Sequence, residues 1–287
     1  MTNYIDLHTH SNASDGTCTP TEVVRLAAQK GLRAMALTDH DTVSGVEEAM
    51  NTASAFSLAI QVIPGTELSV AYKKQDIHIV GLFVDHRNKS FQDMTQLLIR
   101  RRLERNEEMI RRFNANGIPV TYEELTLGNP NAVITRAHFA RYLVEHQIVK
   151  IPNEAFKKYL DPGCPYFIPR EYIQPEDGIE IIRKAGGVPI LAHPLHYKLP
   201  QKELETLIAR LKDAGLMGIE VKYSNHTVQD EYYASQLASR FDLLPSGGSD
   251  FHGANKPAID IGTGRGTLAV PYEYLENLAA AVDYPLS

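Results

Sequence analysis

The sequence predicts an α/β fold, a distorted seven-stranded barrel with a helical insertion. Three observations point to it. Short apolar runs alternate with amphipathic helical stretches, the pattern of parallel β/α units. The chain has 287 residues, a length such a barrel can fill as one unit. Clusters of His, Asp and Glu stand on or beside the apolar runs, mostly at their C-terminal ends, where barrels of this class assemble their sites.

The first predicted strand covers residues 4–7 and leads into His8-Thr9-His10. A helix over 20–30 follows. Thr19 is its N-cap, Pro20 its first residue and Glu22 the return acceptor of a capping box, with Gly31 as the stop. Further strands are predicted at 34–37, 61–63 and 77–84. From about residue 90 to 165 strand signals vanish. Helices are predicted there at 91–116, 136–146 and 154–160, and the basic run Arg100, Arg101, Arg102, Glu104, Arg105 reads as a solvated helix face. The β/α rhythm returns with helices at 177–185, 202–214 and 228–241 and strands at 188–192, 218–221 and 243–245. Residues 1–89 and 166–287 therefore form the expected barrel domain, and 90–165 the insertion. No chemistry is legible in 267–287.

Bulk properties exclude several classes. No apolar run approaches the ~20 residues of a membrane span, and the N-terminus lacks a secretory pattern. Two cysteines, Cys18 and Cys164, cannot form a disulfide framework or a four-thiolate metal site. They are expected to be structural in a cytoplasmic protein. The formal net charge of −6 opposes broad binding to long nucleic acid but not capture of a small anion. No stable protein partner is implied.

The chemistry lies in six motifs. His8 and His10, at i and i+2 of a strand, project to one side as a chelating pair, and Asp15 follows in the next loop. Thr38-Asp39-His40-Asp41 ends the second strand, and Pro64-Gly65-Thr66-Glu67 ends the third. His78 interrupts an apolar run, His193 stands in Ala192-His193-Pro194, and Asp250 and His252 form another i, i+2 pair. A single histidine of this kind is ordinarily a satisfied core residue. Six such motifs at equivalent positions imply convergence on a metal site. Imidazole and carboxylate without thiolate suit manganese, zinc or iron, and the number of donors calls for two or three ions.

These motifs, D-L-H-T-H-S-x-x-S-D-G, T-D-H-D, P-G-x-E, H-I-V-G, A-H-P and G-S-D-F-H, resemble those of the polymerase and histidinol phosphatase (PHP) family, from residue 4 to about 266. Within it the chain is most similar to the branch that hydrolyses 3′,5′-nucleoside bisphosphates and short 5′-phosphorylated oligonucleotides. Thr135-Arg136-Ala137-His138-Phe139-Ala140 and Phe156-Lys157-Lys158-Tyr159-Leu160 carry that similarity.

The resemblance implies His8, His10, Glu67 and Asp250 on one metal, Asp15, His40 and His252 on a second, and Glu67, His78 and His193 on a third. Manganese is the expected ion. The implied nucleophile is metal-activated hydroxide, with no protein nucleophile. Arg136 would grip a phosphate with its fixed, bidentate guanidinium. His138 would contact phosphate or pack within the insertion, and His196 and His226 would line the pocket. Asp39 and Asp41 would orient imidazoles or protonate the leaving group. The expected substrate carries both 3′- and 5′-phosphates. Competing readings are another phosphomonoester, such as histidinol phosphate, and a noncatalytic metal-binding regulatory module, which the intact donor set opposes.

Overall fold

The computed structural model describes residues 3–73, 75–126, 129–169 and 171–286. Eight strands form one nearly closed, barrel-like sheet: β1 (Tyr4–Thr9), β2 (Ala34–Leu37), β3 (Gln61–Tyr72), β4 (Gln75–Leu82), β5 (Val188–Leu191), β6 (Gly218–Tyr223), β7 (Leu244–Gly248) and β8 (Val270–Pro271). Their order is β7-β6-β5-β4-β3-β2-β1-β8. This corrects the expected count of seven. The added strand, β8, pairs antiparallel with β1 and lies in the C-terminal stretch where no strand was expected. Two residues are too short to show a period in sequence.

The expected all-parallel alternation also needs correction. β1, β2 and β3 run parallel, as do β5, β6 and β7, but β4 is antiparallel to both β3 and β5. No helix separates β3 from β4, so the chain returns directly, and a short return yields an antiparallel pair. β3 also runs well past its expected end at residue 63. Pro64 and Gly65 read as a turn, yet β2 and β4 pair with the strand on either side. Glu67 thus sits inside β3 rather than at its end.

Alternation along β3 and β4 separates two environments. Leu68, Val70, Ile77 and Ile79 join a core built with α7 (Pro175–Lys184), α8 (Gln201–Asp213) and α9 (Val228–Arg240), through Ile179, Ile182, Leu204, Leu207 and Leu237. Glu67, Ser69 and His78 take the alternate positions. A second core unites Ile5, Ile63, Val80, Val188 and Ile190 with Leu275 and Leu278 of α10 (Tyr272–Ala280). Between β1 and β2, α1 (Pro20–Gln29) carries the predicted Thr19–Glu22 capping box, and α2 (Val46–Ala55) follows β2.

β7 closes against β1. The Asp250 N–H donates to His8 O at 2.8 Å, and the His10 N–H to Phe251 O at 2.9 Å. Gly248 permits this approach, because a Cβ there would overlap the Cβ and backbone nitrogen of His8.

The helical stretch holds α3 (Lys89–Ala115), α4 (Tyr122–Thr126), α5 (Arg136–Glu145), α6 (Pro152–Ala155) and a π-helical turn over Phe156–Leu160. α3 belongs to two cores. Its Phe91 and Leu98 join the barrel cluster, while Met109 and Phe113 join a separate helical cluster with Phe139, Leu143, Leu160 and Tyr166. Between them, Arg102 and Arg105 are buried, which corrects the expectation of a fully solvated basic face. Arg102 Nε lies 2.6 Å from Asp41 Oδ2, and its Nη2 donates to Ser69 Oγ at 2.8 Å. Among the described residues no helix is long and apolar enough to cross a membrane.

Two stability outcomes follow from this packing. Gly248→Ala should cost about 1–3 kcal/mol in urea unfolding, as overpacking does; wild-type stability would show that the β1–β7 approach is not tight. Arg102→Ala should cost about 3–5 kcal/mol, because the buried Asp41 loses its guanidinium. A loss below about 1 kcal/mol would mean that the pair sits in a far wetter setting than its burial indicates.

Candidate metal centre

The centre is organised on Glu67, which is buried in β3. Its Oε2 lies 3.2 Å from His8 Nε2, His10 Nε2 and His40 Nδ1. Its Oε1 lies 2.9 Å from His78 Nδ1 and 3.0 Å from His193 Nε2. Asp15 stands 3.1 Å from His252 Nε2. Asp250 Oδ1 is 3.5 Å from His10 Nε2 and 3.3 Å from His252 Nδ1. The structure therefore brings His8, His10, Asp15, His40, Glu67, His78, His193, Asp250 and His252 together. Seven of them form three overlapping groups of converging ligand atoms, His10-Asp15-His40-His252, His8-His10-Glu67 and His40-Glu67-His78, with His193 and Asp250 alongside through Glu67 and His10. His10, His40 and Glu67 are each shared between two groups.

This donor set fits divalent metal ions. His8 Nε2 and His10 Nε2 face each other at 3.1 Å, and both also face Glu67 Oε2. Two N–H groups cannot be accommodated head to head, whereas lone pairs converging on a cation can. The buried Nδ1 atoms of His10 and His193 have no hydrogen-bond partner among the described residues. Burial opposes ionisation of Glu67, but His8, His78 and His40 hold its carboxyl well below the usual range. Asp15 is likewise held down against burial by His252 and His40, and Asp250 by Lys256 and His252. Burial and His252 depress His10, and burial brings His40 to about 4 despite Glu67. Against burial, Glu67 shifts His8 and His78 the other way, upward, so a cation would compete with protons at those two rings, because ionised carboxylates and neutral imidazoles are the forms that ligate metals.

Backbone strain accompanies the site. His193 and Asp250 adopt left-handed conformations, with φ of +28° and +57°. Such conformations are uncommon for residues other than glycine and cost on the order of 1–3 kcal/mol each. Each is pinned by its own N–H, His193 to Glu220 Oε2 at 2.6 Å and Asp250 to His8 O.

Glu220 was not anticipated from sequence. Its Oε1 sits 2.8 Å from His8 Nδ1, which turns His8 Nε2 toward Glu67. A lone acid inside the apolar run 218–221 was the available signal, since burying an unpartnered carboxylate is costly. The contact of Thr135 with Asp15, and the parts played by Lys256 and Tyr223, also escaped the sequence reading. Thr135 Oγ1 donates to Asp15 Oδ2 at 2.9 Å. Lys256 Nζ and the Tyr223 hydroxyl reach Asp250 Oδ2 at 2.6 and 2.8 Å.

Several assigned roles change. Asp39 accepts from the Ser11 N–H and the Ser11 and Ser14 hydroxyls, at 2.8, 2.6 and 2.6 Å. It shapes the loop that carries Asp15 rather than orienting an imidazole. Burial lifts its carboxyl to about 6, against those hydrogen bonds. Asp41 engages Arg102 and the Ser69 N–H. His138 is buried in the cap of α5, where its Nδ1 accepts from the Thr135 N–H at 3.0 Å, so it packs within the helical stretch. His226 Nδ1 faces Val221 O at 2.9 Å, and His226 lines neither of the two clefts at the centre. His196 lines both.

Those clefts meet at His78, His193 and His196. The first, about 440 Å³, contains His40, Glu67 and Asp250 and extends to Asn225, Lys256 and Arg265. The second, about 880 Å³, extends past Asp76 and Tyr172 to Arg136 and Phe167. Arg136 makes long contacts there, 3.5 Å to Asp76 Oδ2 and 3.4 Å to Leu160 O.

A barrel-like α/β frame with a buried imidazole–carboxylate centre open to two clefts, one reaching Arg265 and the other Arg136, defines a metal-dependent phosphoesterase. The chain belongs to the PHP family, whose PHP domain model matches residues 6–172. It is similar to the 3′,5′-nucleoside bisphosphate phosphatase of Chromobacterium violaceum, with 37% identity over 260 residues, 90% of each chain. It is also similar to a 5′-3′ exoribonuclease of Haemophilus influenzae, with 38% identity over 255 residues, 88% of this chain and 91% of the relative. Among solved structures, an amidohydrolase from Chromobacterium violaceum with bound sulfate and no metal matches with a TM-score of 0.83 at 37% identity, covering 90% of each chain.

Glu220→Gln should weaken metal binding about 10–100-fold, as loss of an orienting carboxylate does. Competition with a chelator measures it, and unchanged affinity would show that His8 is oriented without Glu220.

Proposed function

We propose that this phosphoesterase removes the 3′-phosphate from 3′,5′-nucleoside bisphosphates, such as 3′-phosphoadenosine 5′-phosphate, and releases the 5′-monophosphate. The same site would shorten 5′-phosphorylated oligonucleotides from the 5′ end. The observation that carries the reading is the second cleft, which starts at His78 and His193 and contains Arg136. A reacting phosphate at the centre and a second one at the guanidinium would suit a bisphosphate. The names of the bacterial relatives point the same way.

His8, His10, Glu67 and Asp250, then Asp15, His40 and His252, then Glu67, His78 and His193 would hold two to three divalent ions, manganese by preference. When bound, such ions supply water activation and charge neutralisation at phosphorus. The chain's own residues set the stage for that chemistry. Glu220 holds the His8 ring and the His193 backbone, and Thr135 fixes Asp15. Arg136 exchanges its long contacts with Asp76 and Leu160 for a charge-assisted, bidentate grip on phosphate. Phe167 and Tyr172 give the cleft aromatic surface for a base. Residues 90–165 act as a capping insertion, since they supply both Thr135 and Arg136. The protein would work in the cytoplasm, where free Cys18 and Cys164 persist, without a stable protein partner.

Phosphate release with added Mn²⁺ should favour 3′-phosphoadenosine 5′-phosphate over 3′-AMP, 5′-AMP and histidinol phosphate, and His193→Ala should abolish it. Arg136→Ala should raise the KM for the bisphosphate about 10–100-fold, the scale of a lost charged hydrogen bond, with a much smaller change for 3′-AMP. Equal or better turnover of histidinol phosphate would overturn the two-phosphate reading.

A further inference from the structure

Resting on that reading, we propose that the first cleft is a subsite for the nucleotide chain beyond the reacting phosphate, and that Arg265 holds the next phosphodiester. The two clefts share His78, His193 and His196 but reach different cations. The cleft with Arg136 accounts for a nucleoside and its 5′-phosphate. A mononucleoside bisphosphate ends at the reacting phosphorus and needs nothing further. In an oligonucleotide that phosphorus also bears the 5′-oxygen of the next nucleoside, which must lie on the other side of the centre. There the wall is formed by Asn225, Lys256, Ile259 and Arg265.

The two cations of this wall differ. Lys256 is committed to Asp250 at 2.6 Å. Arg265 gives its Nε–H to the neutral Asn225 Oδ1 at 2.7 Å, so its charge remains for an anion. The side chain is exposed, but the turn beneath it is built. Asp260 and Gly264 exchange backbone hydrogen bonds, both 2.8 Å, and Gly264 and Gly266 supply φ values of +56° and +106° that other residues rarely adopt. The Gly262 N–H donates to the buried Asp6 Oδ2 at 2.7 Å, and Asp6 Oδ1 also accepts from the Ser249 N–H at 2.8 Å. One buried carboxylate thus ties the Arg265 turn to the segment that presents Asp250.

The chemistry balances at this placement. The water oxygen bonds to phosphorus and the P–O3′ bond breaks. Its electron pair stays on O3′, which takes up a proton. The first nucleotide departs as a 5′-monophosphate, and the phosphorus remains on the shortened chain as a new 5′-phosphate. That product is itself a substrate for the next round.

A 5′-phosphorylated trinucleotide carries a phosphodiester beyond the reacting one, whereas a dinucleotide and a bisphosphate do not. With the Mn²⁺-loaded enzyme, Arg265→Ala should lower the trinucleotide-to-dinucleotide ratio of kcat/KM about tenfold, chiefly through KM, as loss of a partly screened charged contact does. Arg265→Lys should restore part of it. An unchanged ratio would overturn the proposal, as would an equal loss on trinucleotide, dinucleotide and bisphosphate. Wild-type enzyme that cleaves the bisphosphate but no oligonucleotide would overturn the subsite alone. Failure on all three would overturn the two-phosphate reading as well.

Discussion

One buried carboxylate sets the terms for the rest of the molecule. Glu67 presents Oε2 to His8, His10 and His40 and Oε1 to His78 and His193. An ionised side chain in a barrel interior is tolerable only when it is surrounded by partners. Those partners arrive on β1, the loop after β2, β4 and the end of β5. The antiparallel β3–β4 pair sets Ser69 opposite His78, two residues along from Glu67. An all-parallel arrangement would interpose a crossover connection there.

Second contacts hold the ring of donors in place, and they come from every part of the chain. Glu220 fixes the His8 ring and the His193 backbone with one carboxylate. Asp39 folds the loop that carries Asp15, and Thr135 completes the hold on Asp15 from the helical stretch. Further ties join the same loop to that stretch, from the Val133 N–H to Ala13 O at 2.9 Å and from Asn129 Nδ2 to Asn12 O at 2.6 Å. The helices that carry Arg136 are therefore anchored to the metal centre through the Asp15 loop and through the buried Arg102–Asp41 pair. Left-handed backbone at His193 and Asp250 is sustained because such contacts over-determine it.

Legibility in the sequence followed the range of each interaction. The α1 capping box was readable because its partners, Thr19 and Glu22, are three residues apart. The donor residues were readable because strand ends and i, i+2 pairs are local patterns. β8 was not, because two residues gain strand character only from β1. Nor were the burial of Arg102 or the part played by Glu220, whose partners lie 61 and 212 residues away. Asp39 and Asp41 looked like imidazole partners because they flank His40 in sequence. Their carboxylates reach Ser11, Ser14 and Arg102 instead, because the chain leaves β2 at Leu37 and turns at Asp41, whose φ is +54°.

The sequence by itself determined the α/β class, the donor chemistry and the helical character of residues 90–165, all properties of composition and short-range pattern. Tertiary structure alone decided that β4 runs antiparallel, that Glu67 receives imidazoles on both oxygens, and that two clefts with separate cations meet at His78 and His193. These depend on pairings between segments far apart in the chain. Their free energy comes from burial and contact, which no local pattern records.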